Sequence, residues 1–353
     1  MPSIIFSVFC KGTCIFTGLM RPGKNIKIFF NYFLGPLLFA WLSWSIYHQV
    51  AGQPDLEKSL SRIKESLQSK EVLKMALVLV LMMVNWSLET VKWRTAVKNV
   101  QPVKFGTALK AVLSGVSFSV STPNRTGEYL GRILYMDEGN RLKTISLTIL
   151  CSISQLMITL AAGITGLLVL KERIYNSDII AGWSTIWVQA FLYGSLIVMF
   201  FLTVFYFRVS LFVRWLDKLP ALGKYTYLIN ELEKLNATLL VKLLSLSAVR
   251  FVIFAVQYYL LFSFFDVSIG WWQSFWAVSL SFLILAVIPG FALIDLGIRG
   301  EVGLKVVGLF SVNALGIGLT TVTVWFINLI IPALTGSVLI LGLKVFKKRD
   351  ERV

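Results

Sequence analysis

The sequence predicts an all-α polytopic membrane protein with about seven to eight transmembrane helices, two of whose apolar segments are broken or re-entrant. Of its 353 residues 56% are hydrophobic and 15% are charged, whereas soluble domains have about 25% charged residues. Apolar runs long enough to cross a bilayer, about 20 residues, recur along the chain. Two further apolar runs are interrupted by proline, glycine and charged residues, at 121–132 and 288–301.

The composition also excludes several classes of function. The net charge of +16 is expected to concentrate in cytoplasmic loops and near anionic lipid. No basic patch alternates with exposed aromatic residues, so nucleic-acid binding is not expected. Three cysteines and the single histidine, His48, offer no metal-ligand set, so we predict no metal and no cofactor. Hydrolase, Walker A and dinucleotide motifs are missing from the sequence, so we do not predict an enzyme.

The chain divides into seven segments by hydropathy and charge. They are an N-terminal cytoplasmic segment (1–27), a first transmembrane helix (28–50), an amphipathic surface helix (51–71), a first repeat (72–207), an amphipathic basic linker (208–242), a second repeat (243–343) and a basic tail (344–353). In the first repeat we expect spans at 72–93, 144–170 and 179–207, with Lys92 and Arg94 in a loop. In the second we expect a span at 243–265 and two shorter apolar segments, 302–318 and 319–343.

The two interrupted regions indicate an internal repeat. Residues 105–123 align without a gap with residues 271–289, and a Gly-Glu pair follows each block, at 127–128 and 300–301. Repeated halves with broken apolar segments are typical of secondary transporters, in which the broken helices bind cargo near the bilayer midplane. Chance similarity between apolar stretches that end in proline is the alternative.

Loop charge predicts that the two repeats are inverted. The N-terminus, 92–104 and 208–242 are basic, which places them in the cytoplasm. On this count the spans that precede the two broken regions run in opposite directions. A count of seven spans, however, puts the basic tail on the outer side, and this conflict stays open at the level of sequence.

Charged residues at the breaks are the candidate binding groups, because ionisable side chains at membrane depth are costly. Arg125, Glu128 and Arg132 share one helical face if a helix starts after the first break. Glu128 would then neutralise one arginine and leave the other for an anionic partner such as phosphate or carboxylate. The alternative is that these charges lie in loops and merely flank the spans.

The predicted site therefore combines both breaks with a few supporting polar residues. The predicted substrate-binding residues are Pro123, Asn124, Arg125, Gly127, Glu128, Arg132, Pro289, Gly290, Asp295, Gly297, Arg299 and Glu301. The supporting or pathway residues are Asn85, Glu89, Trp93, Arg94 and Asn328. For Asn85 and Glu89, polar helix ends near the interface are the alternative. Gln155, Arg250, Gln257, Asn313 and Asn328 are expected to form interhelical hydrogen bonds, and lining a pathway is the alternative.

Three motifs resemble the lysylphosphatidylglycerol synthase transmembrane-domain family, and the resemblance extends over about residues 25–345. Trp93-Arg94 is similar to the family's Trp-Arg at the end of an early span. The stretch from Pro123 to Arg132 resembles its Pro-x-Arg-x-Gly-Glu…Arg signature, and Pro289 to Glu301 resembles its Pro-Gly…Gly…Glu motif. The family often has an arginine in the late span, where this chain has Trp325-Phe-Ile-Asn328.

The resemblance implies a function at the membrane. The family includes the flippase portion of the multiple peptide resistance factor, in which a separate cytoplasmic domain makes the aminoacylated lipid. This sequence contains no such domain, so we do not expect aminoacyl transfer. The resemblance implies a flippase-like transporter of the cell inner membrane that binds a phospholipid or polyprenyl-type head group between two broken helices.

Two other hypotheses remain. The protein could be a non-transporting accessory protein whose partner is an envelope lipid or glycan synthesis enzyme. A lipid-modifying intramembrane enzyme is disfavoured, because Glu128 and Glu301 lack an accompanying nucleophile. Membrane lipids are the expected partners, and the sequence leaves the oligomeric state open.

Overall fold

A computed structural model describes residues 71–120, 122, 126–175, 185–208, 236–288 and 292–350, with side chains omitted at 185, 292–295 and 341–350. In chain order the elements are α1 (Val72–Val97), α2 (Phe105–Val120), α3 (Gly127–Ile133), a 3₁₀ turn (Glu138–Asn140), α4 (Arg141–Tyr175), α5 (Thr185–Phe207), α6 (Ala237–Phe264), α7 (Trp271–Val287), α8 (Ala292–Val307), α9 (Ala314–Trp325), a π turn (Phe326–Ile330) and α10 (Ile331–Asp350). The predicted segments 1–27 and 28–50, nearly all of 51–71 and most of the basic linker lie outside the described residues.

Five long apolar elements make this a multi-span membrane protein. α1, α4, α5, α6 and the continuous unit from Ala314 to Ile340 are each long and apolar enough to cross a bilayer. Many large apolar side chains on their outer faces are exposed, such as Phe200 and Phe201 on α5, as expected where lipid replaces water. No strand occurs in the described ranges. The predicted all-α, multi-span class is confirmed.

Pairs of shorter helices occupy the two interrupted regions. α2 has 16 residues and α7 has 17, so each is about 25 Å long and falls short of a hydrocarbon core about 30 Å thick. Each is followed, after the break, by a helix that packs back against it: α3 against α2 and α8 against α7.

The loops around each pair are tied to one another by hydrogen bonds. Before α2, the Gln101 side-chain oxygen accepts from the Asp137 backbone N–H at 3.1 Å and from Asn140 Nδ2 at 3.3 Å, both beyond α3. In the second half, Asn313 Nδ2, beyond α8, donates to the backbone carbonyls of Phe265 and Asp266, before α7, both at 3.1 Å. The chain therefore enters and leaves each pair of short helices through adjacent loops.

The short helix of each half packs against a long helix of the other half. α2 of the first half packs against α10 of the second, α7 of the second packs against α4 of the first, and α1 packs against α6. Glycines make both exchanged contacts close. A Cβ on Gly163 of α4 would lie 3.0 Å from the Ser279 carbonyl oxygen, and a Cβ on Gly336 of α10 would overlap the backbone of Leu113. Such close contacts between small residues are how helices associate in a membrane.

Several predicted segments have wrong boundaries. α4 runs from Arg141 to Tyr175, beyond the predicted 144–170 at both ends. α1 continues to Val97, so Lys92 and Arg94 belong to a helix and not to a loop. α6 begins at Ala237, before the predicted 243. The segments predicted at 302–318 and 319–343 do not exist as such, because α8 runs to Val307 and one long unit starts at Ala314.

Local contacts explain why the sequence misplaced the last boundary. The turn at 308–313 contains Leu309, Phe310 and Val312, so the apolar pattern does not mark it. Asn313 creates the boundary by capping α9, since its side-chain oxygen accepts from the Gly316 N–H at 3.0 Å.

The Gly336 contact predicts a measurable cost of adding one methyl group. We expect Gly336→Ala to destabilise the fold by about 1–3 kcal/mol, because the new Cβ meets backbone that cannot rotate away. Gly318→Ala is the matched control, since its Cβ position has no described atom within 4 Å apart from its own residue, its chain neighbours and the nearby backbone of its helix, and it should stabilise by up to about 1 kcal/mol. Thermal unfolding in detergent measures both. Equal midpoints for the two variants would contradict the close α2–α10 contact.

Candidate functional site

One buried carboxylate, Glu89 of α1, gathers three cations. Lys92 Nζ lies 2.8 Å from Oε2, Arg132 Nη2 lies 2.8 Å from Oε1, and Arg250 Nη1 pairs with Oε2. All four side chains are at least nine-tenths buried. The cations come from three different helices: α1 itself, α3 and α6. Glu89 therefore joins both halves of the protein.

Arg250 is held by more than its ion pair. Its Nε donates to Asn85 Oδ1 at 2.8 Å, and its Nη1 also donates to Gln155 Oε1 at 3.3 Å. The guanidinium carbon lies 5.9 Å from the centre of the Trp86 ring, a cation–π distance. Because its partners lie on α1 and α4, Arg250 fixes α6 of the second half against two helices of the first.

Glycines position Arg132 beside Glu89. α3 crosses α2 so closely that a Cβ on Gly131 would overlap the Gly115 backbone, and one on Gly115 would lie 2.8 Å from the Glu128 carbonyl oxygen. The crossing brings Arg132 to Glu89 and also to Glu128, with which it forms an i,i+4 ion pair. Its guanidinium lies 5.9 Å from the Trp93 ring centre.

The cluster carries a net positive charge. Lys92, Arg132 and Arg250 face the two carboxylates Glu89 and Glu128, which leaves one positive charge among the five. Each of these charges costs roughly 3 kcal/mol or more at membrane depth when isolated, and the mutual contacts offset that cost. The excess positive charge is shared among side chains that are buried except for Glu128, which is partly exposed.

A cavity of about 730 Å³ lies next to the cluster and is lined by described residues that flank the two breaks, Thr122 and Glu128 at the first and Val287 and Ile288 at the second. The C-terminal ends of α2 and α7, the N-terminal part of α3 and the middle of α8 all line it. One part of its wall is charged and polar; much of the remainder is aromatic and aliphatic. From the first half, the lining residues are Trp86, Glu89, Lys92, Val116, Ser119, Val120, Thr122, Glu128, Tyr129, Ser152, Gln155, Leu156 and Thr159. From the second half, they are Arg250, Phe254, Tyr258, Phe282, Leu285, Ala286, Val287, Ile288, Ile298, Arg299, Val324, Trp325, Asn328 and Leu329.

Several predicted site residues meet at this cavity. Glu89, Glu128, Arg299 and Asn328 line it. Behind its wall lie Arg132 and Asn85, each in contact with a residue of the cluster. Trp93 is buried against Arg132, and its indole N–H donates to Thr148 Oγ1 at 3.0 Å. Asn85 and Glu89 are buried within α1 and do not lie at a helix end.

Other predicted residues lie elsewhere. Glu301 is exposed and pairs with Lys305 at 3.2 Å; neither Glu301 nor the exposed Gly297 is among the cavity lining. Arg94 donates to the Val103 carbonyl at 2.8 Å, which orders the loop after α1. Gly127 is buried at the α2–α3 contact, where its N–H donates to Thr122 Oγ1 at 2.7 Å. Outside the described part of the chain lie Pro123, Asn124, Arg125, Pro289, Gly290 and the side chain of Asp295.

Sequence reasoning missed the role of two cations. The end of the apolar run predicts a loop at Lys92, and the sequence predicts that Arg250 forms interhelical hydrogen bonds, with lining a pathway as the alternative. Both carried a usable signal. Lys92 follows Glu89 at i,i+3, and Arg250 lies in the middle of an apolar span, where an arginine needs a partner. Metal-ligand clusters are absent from the described residues.

The cluster predicts that neutralising two different carboxylates has very different effects on the stability of the protein. We expect Glu89→Gln to destabilise the protein by roughly 3–5 kcal/mol, because it leaves buried cations uncompensated. The matched control Glu301→Gln removes an exposed i,i+4 pair and should change stability by less than about 0.5 kcal/mol. Thermal unfolding in detergent measures both. If Glu89→Gln unfolds with the wild-type midpoint, Glu89 does not organise the cluster.

Comparison with known proteins places the chain in one family. Residues 32–336 match the family described as the lysylphosphatidylglycerol synthase TM region. The family corresponds to a transmembrane region and not to a catalytic domain. No curated protein matches the chain. Because the match covers most of the sequence, the chain belongs to the lysylphosphatidylglycerol synthase TM region family.

Proposed function

We propose that this protein is a flippase-type lipid transporter of the cell inner membrane. A phospholipid or polyprenyl-type head group, anionic or zwitterionic, occupies the cavity between the two broken helices. The observation that carries the proposal is the convergence of both helix breaks on one cavity beside a buried cationic cluster. Family membership supports a lipid-related, transporter-like role.

The cavity wall has the chemistry that an amphipathic ligand requires. Lys92 and Arg250 supply cationic donors on one side and Arg299 supplies a guanidinium on another, and guanidinium forks match phosphate oxygens. Phe254 and Phe282 contribute to the apolar part of the wall, which suits acyl or prenyl chains. A volume of about 730 Å³ falls in the range of small-molecule sites, about 300–1,000 Å³.

The exchanged contacts support an internal duplication. The second Gly-Glu pair lies a fixed number of residues after Gly127 and Glu128. The same number of residues separates Arg132 from Lys305 and Gly163 from Gly336. The Glu128–Arg132 and Glu301–Lys305 ion pairs therefore occupy equivalent positions. The separation of the two prolines likewise relates Leu113 to Ser279, the residues that these two glycines contact. A two-fold relation between the halves accounts for both coincidences.

Re-entrant pairs would also resolve the conflict over the basic tail. Because adjacent loops flank each pair of short helices, neither pair crosses the membrane fully in this topology. One crossing, from Ala314 to Ile340, then follows the second pair. When the predicted span at 28–50 is included, the number of membrane crossings is even. In this arrangement α1 and α6 run in opposite directions across the membrane. The basic tail at 344–353 then lies in the cytoplasm with the other basic segments.

Translocation tests the site directly. We expect Glu128→Gln to reduce head-group translocation in proteoliposomes at least tenfold, because Glu128 lines the cavity and balances Arg132. Arg299→Gln, on another part of the wall, should also reduce it. Glu301→Gln is the matched control, since it removes the equivalent carboxylate outside the cavity, and its rate should stay at the wild-type value.

Two results would overturn the proposed transport. Wild-type protein that translocates no lipid, but co-purifies with an envelope-synthesis enzyme, would show the accessory role instead. A Glu128→Gln variant with unchanged rate and unchanged stability would remove the cavity from the mechanism. Unfolding midpoints measured on the same preparations separate a lost site from a lost fold.

The topology predicts which positions share a side of the membrane. In a background without native cysteines, Lys98→Cys and Lys348→Cys should react with impermeant maleimide from the cytoplasmic side. Val312→Cys, in the exposed turn before α9, should react only from the opposite side. Labelling of Lys98→Cys and Lys348→Cys from opposite sides would exclude the re-entrant arrangement.

A further inference from the structure

Lys92 differs from the other two cations of the buried cluster because it can release a proton. Arg132 and Arg250 carry guanidinium groups, which stay charged in proteins, whereas a buried lysine ammonium can become a neutral amine. The Lys92 side chain is 1% exposed, and its Nζ lies 2.8 Å from Glu89 Oε2. Of the three cations in the cluster, Lys92 is therefore the one whose charge can change.

The charge balance of the cluster depends on the state of Lys92. With Lys92 protonated, three cations face the two carboxylates Glu89 and Glu128, and the cluster is positive. With Lys92 neutral, the five side chains carry no net charge. An uncompensated buried charge is unfavourable. The cluster alone is therefore balanced with neutral Lys92, and the cluster with one bound anion is balanced with protonated Lys92.

The hydroxyl groups beside Lys92 suit both of its protonation states. Lys92 Nζ donates to Ser247 Oγ of α6 at 3.4 Å, and Ser247 Oγ lies 3.0 Å from Ser154 Oγ of α4, where either hydroxyl can be the donor. Because a hydroxyl both donates and accepts, Ser247 accepts from the ammonium and can donate to the neutral amine. A carbonyl oxygen in the same place would do only the first.

The described ionisable groups around Lys92 come from four packed helices. They are Glu89 on α1 itself, Glu128 and Arg132 on α3, Cys151 on α4 and Arg250 on α6. Glu128 also lines the cavity and is partly exposed, at 23% of its side chain. It is the second group that could take up a proton when an anion arrives, so an experiment has to separate it from Lys92.

We propose that the protein couples the binding of an anion in the cavity to the uptake of one proton, and that Lys92 carries this proton. The inference rests on the proposed function, because it takes the cavity as the binding site, and it adds an energy source for transport. Lys92 and Arg250 both line the cavity. The Lys92 amine takes one proton from water as the anion enters and returns it as the anion leaves. A pH difference across the membrane then biases the direction of transport.

The pH dependence of anion binding tests the coupling. Purified full-length protein in detergent is titrated calorimetrically with dihexanoylphosphatidylmethanol, a phosphodiester whose single negative charge does not titrate between about pH 6 and about pH 9. Binding should be tightest at low pH, where Lys92 is protonated. Once the free protein has lost that proton, affinity should fall about tenfold per pH unit, because one proton is linked to each anion. Titration in two buffers of different ionisation enthalpy counts the protons taken up.

Two variants of Lys92 locate the proton. Lys92→Arg keeps the positive charge and does not release it, so binding should stay tight and change less than about twofold over the same pH range. Lys92→Met removes the charge at similar length, so binding should be weak and equally independent of pH. If the arginine variant does not fold, the methionine variant still decides the point.

A matched control is available on the second half. Lys305 is exposed and pairs with Glu301, and neither residue lines the cavity. Lys305→Arg should therefore keep both the wild-type affinity and the pH dependence of the wild-type protein.

The outcomes separate this inference from the proposed function. Wild-type protein that binds the anion equally well at every pH overturns the coupling and leaves the binding site intact. A pH dependence that survives in both Lys92 variants overturns the assignment, and its loss in Glu128→Gln would place the proton on Glu128. Absence of anion binding at every pH overturns the cavity as a head-group site, and the coupling with it. Loss of the pH dependence in Lys305→Arg would overturn Lys92 as its specific origin.

Discussion

The charge of Glu89 is the constraint around which the bundle is arranged. A buried carboxylate at membrane depth needs partners, and here the partners arrive from α1, α3 and α6. Satisfying it requires α3 to pack close to α2, which the facing glycines Gly115 and Gly131 permit. It also requires α6 to lie against α1, where Arg250 bonds Asn85 as well as Glu89. The ion pairs thus fix the relative placement of the broken first half and of the first span of the second half.

Exchange of packing partners between the halves places the cavity. Because α2 packs on α10 and α7 packs on α4, the ends of both short helices reach one central space and not two separate ones. Broken backbone is tolerated at membrane depth where it is enclosed by protein or lines a wet cavity, which is the condition that the proposed re-entrant pairs have to meet. The same exchange brings the π turn opposite α1, so that the neutral residues Trp325 and Asn328 and the charged residue Arg250 face one volume.

Much of the site could be predicted from sequence, and the reason for the remainder is physical. Glu128, Arg132 and Arg299 were recognisable because charges beside a Pro/Gly break are costly unless they are used. Glu301 is equivalent to Glu128 in the aligned motifs, but it is exposed and pairs with Lys305. The sequence did not predict this difference, because a motif does not state which face of a helix meets the core. Lys92 and Arg250 each carried a signal in their own segment, but neither signal identifies Glu89 as the shared partner, because that follows only when three helices are brought together.

Hydropathy was enough to predict the class of the protein and the places where its apolar runs break. It is a local property that follows from the free energy of placing each residue in lipid, so the ends of α2 and α7 at Val120 and Val287 could be anticipated. The contacts between helices are needed to show which charges meet, which glycines lie at close contacts, and where the late helix widens into a π turn. Those features depend on distances between segments that are far apart in the chain, and the residue pattern within one segment does not predict such distances.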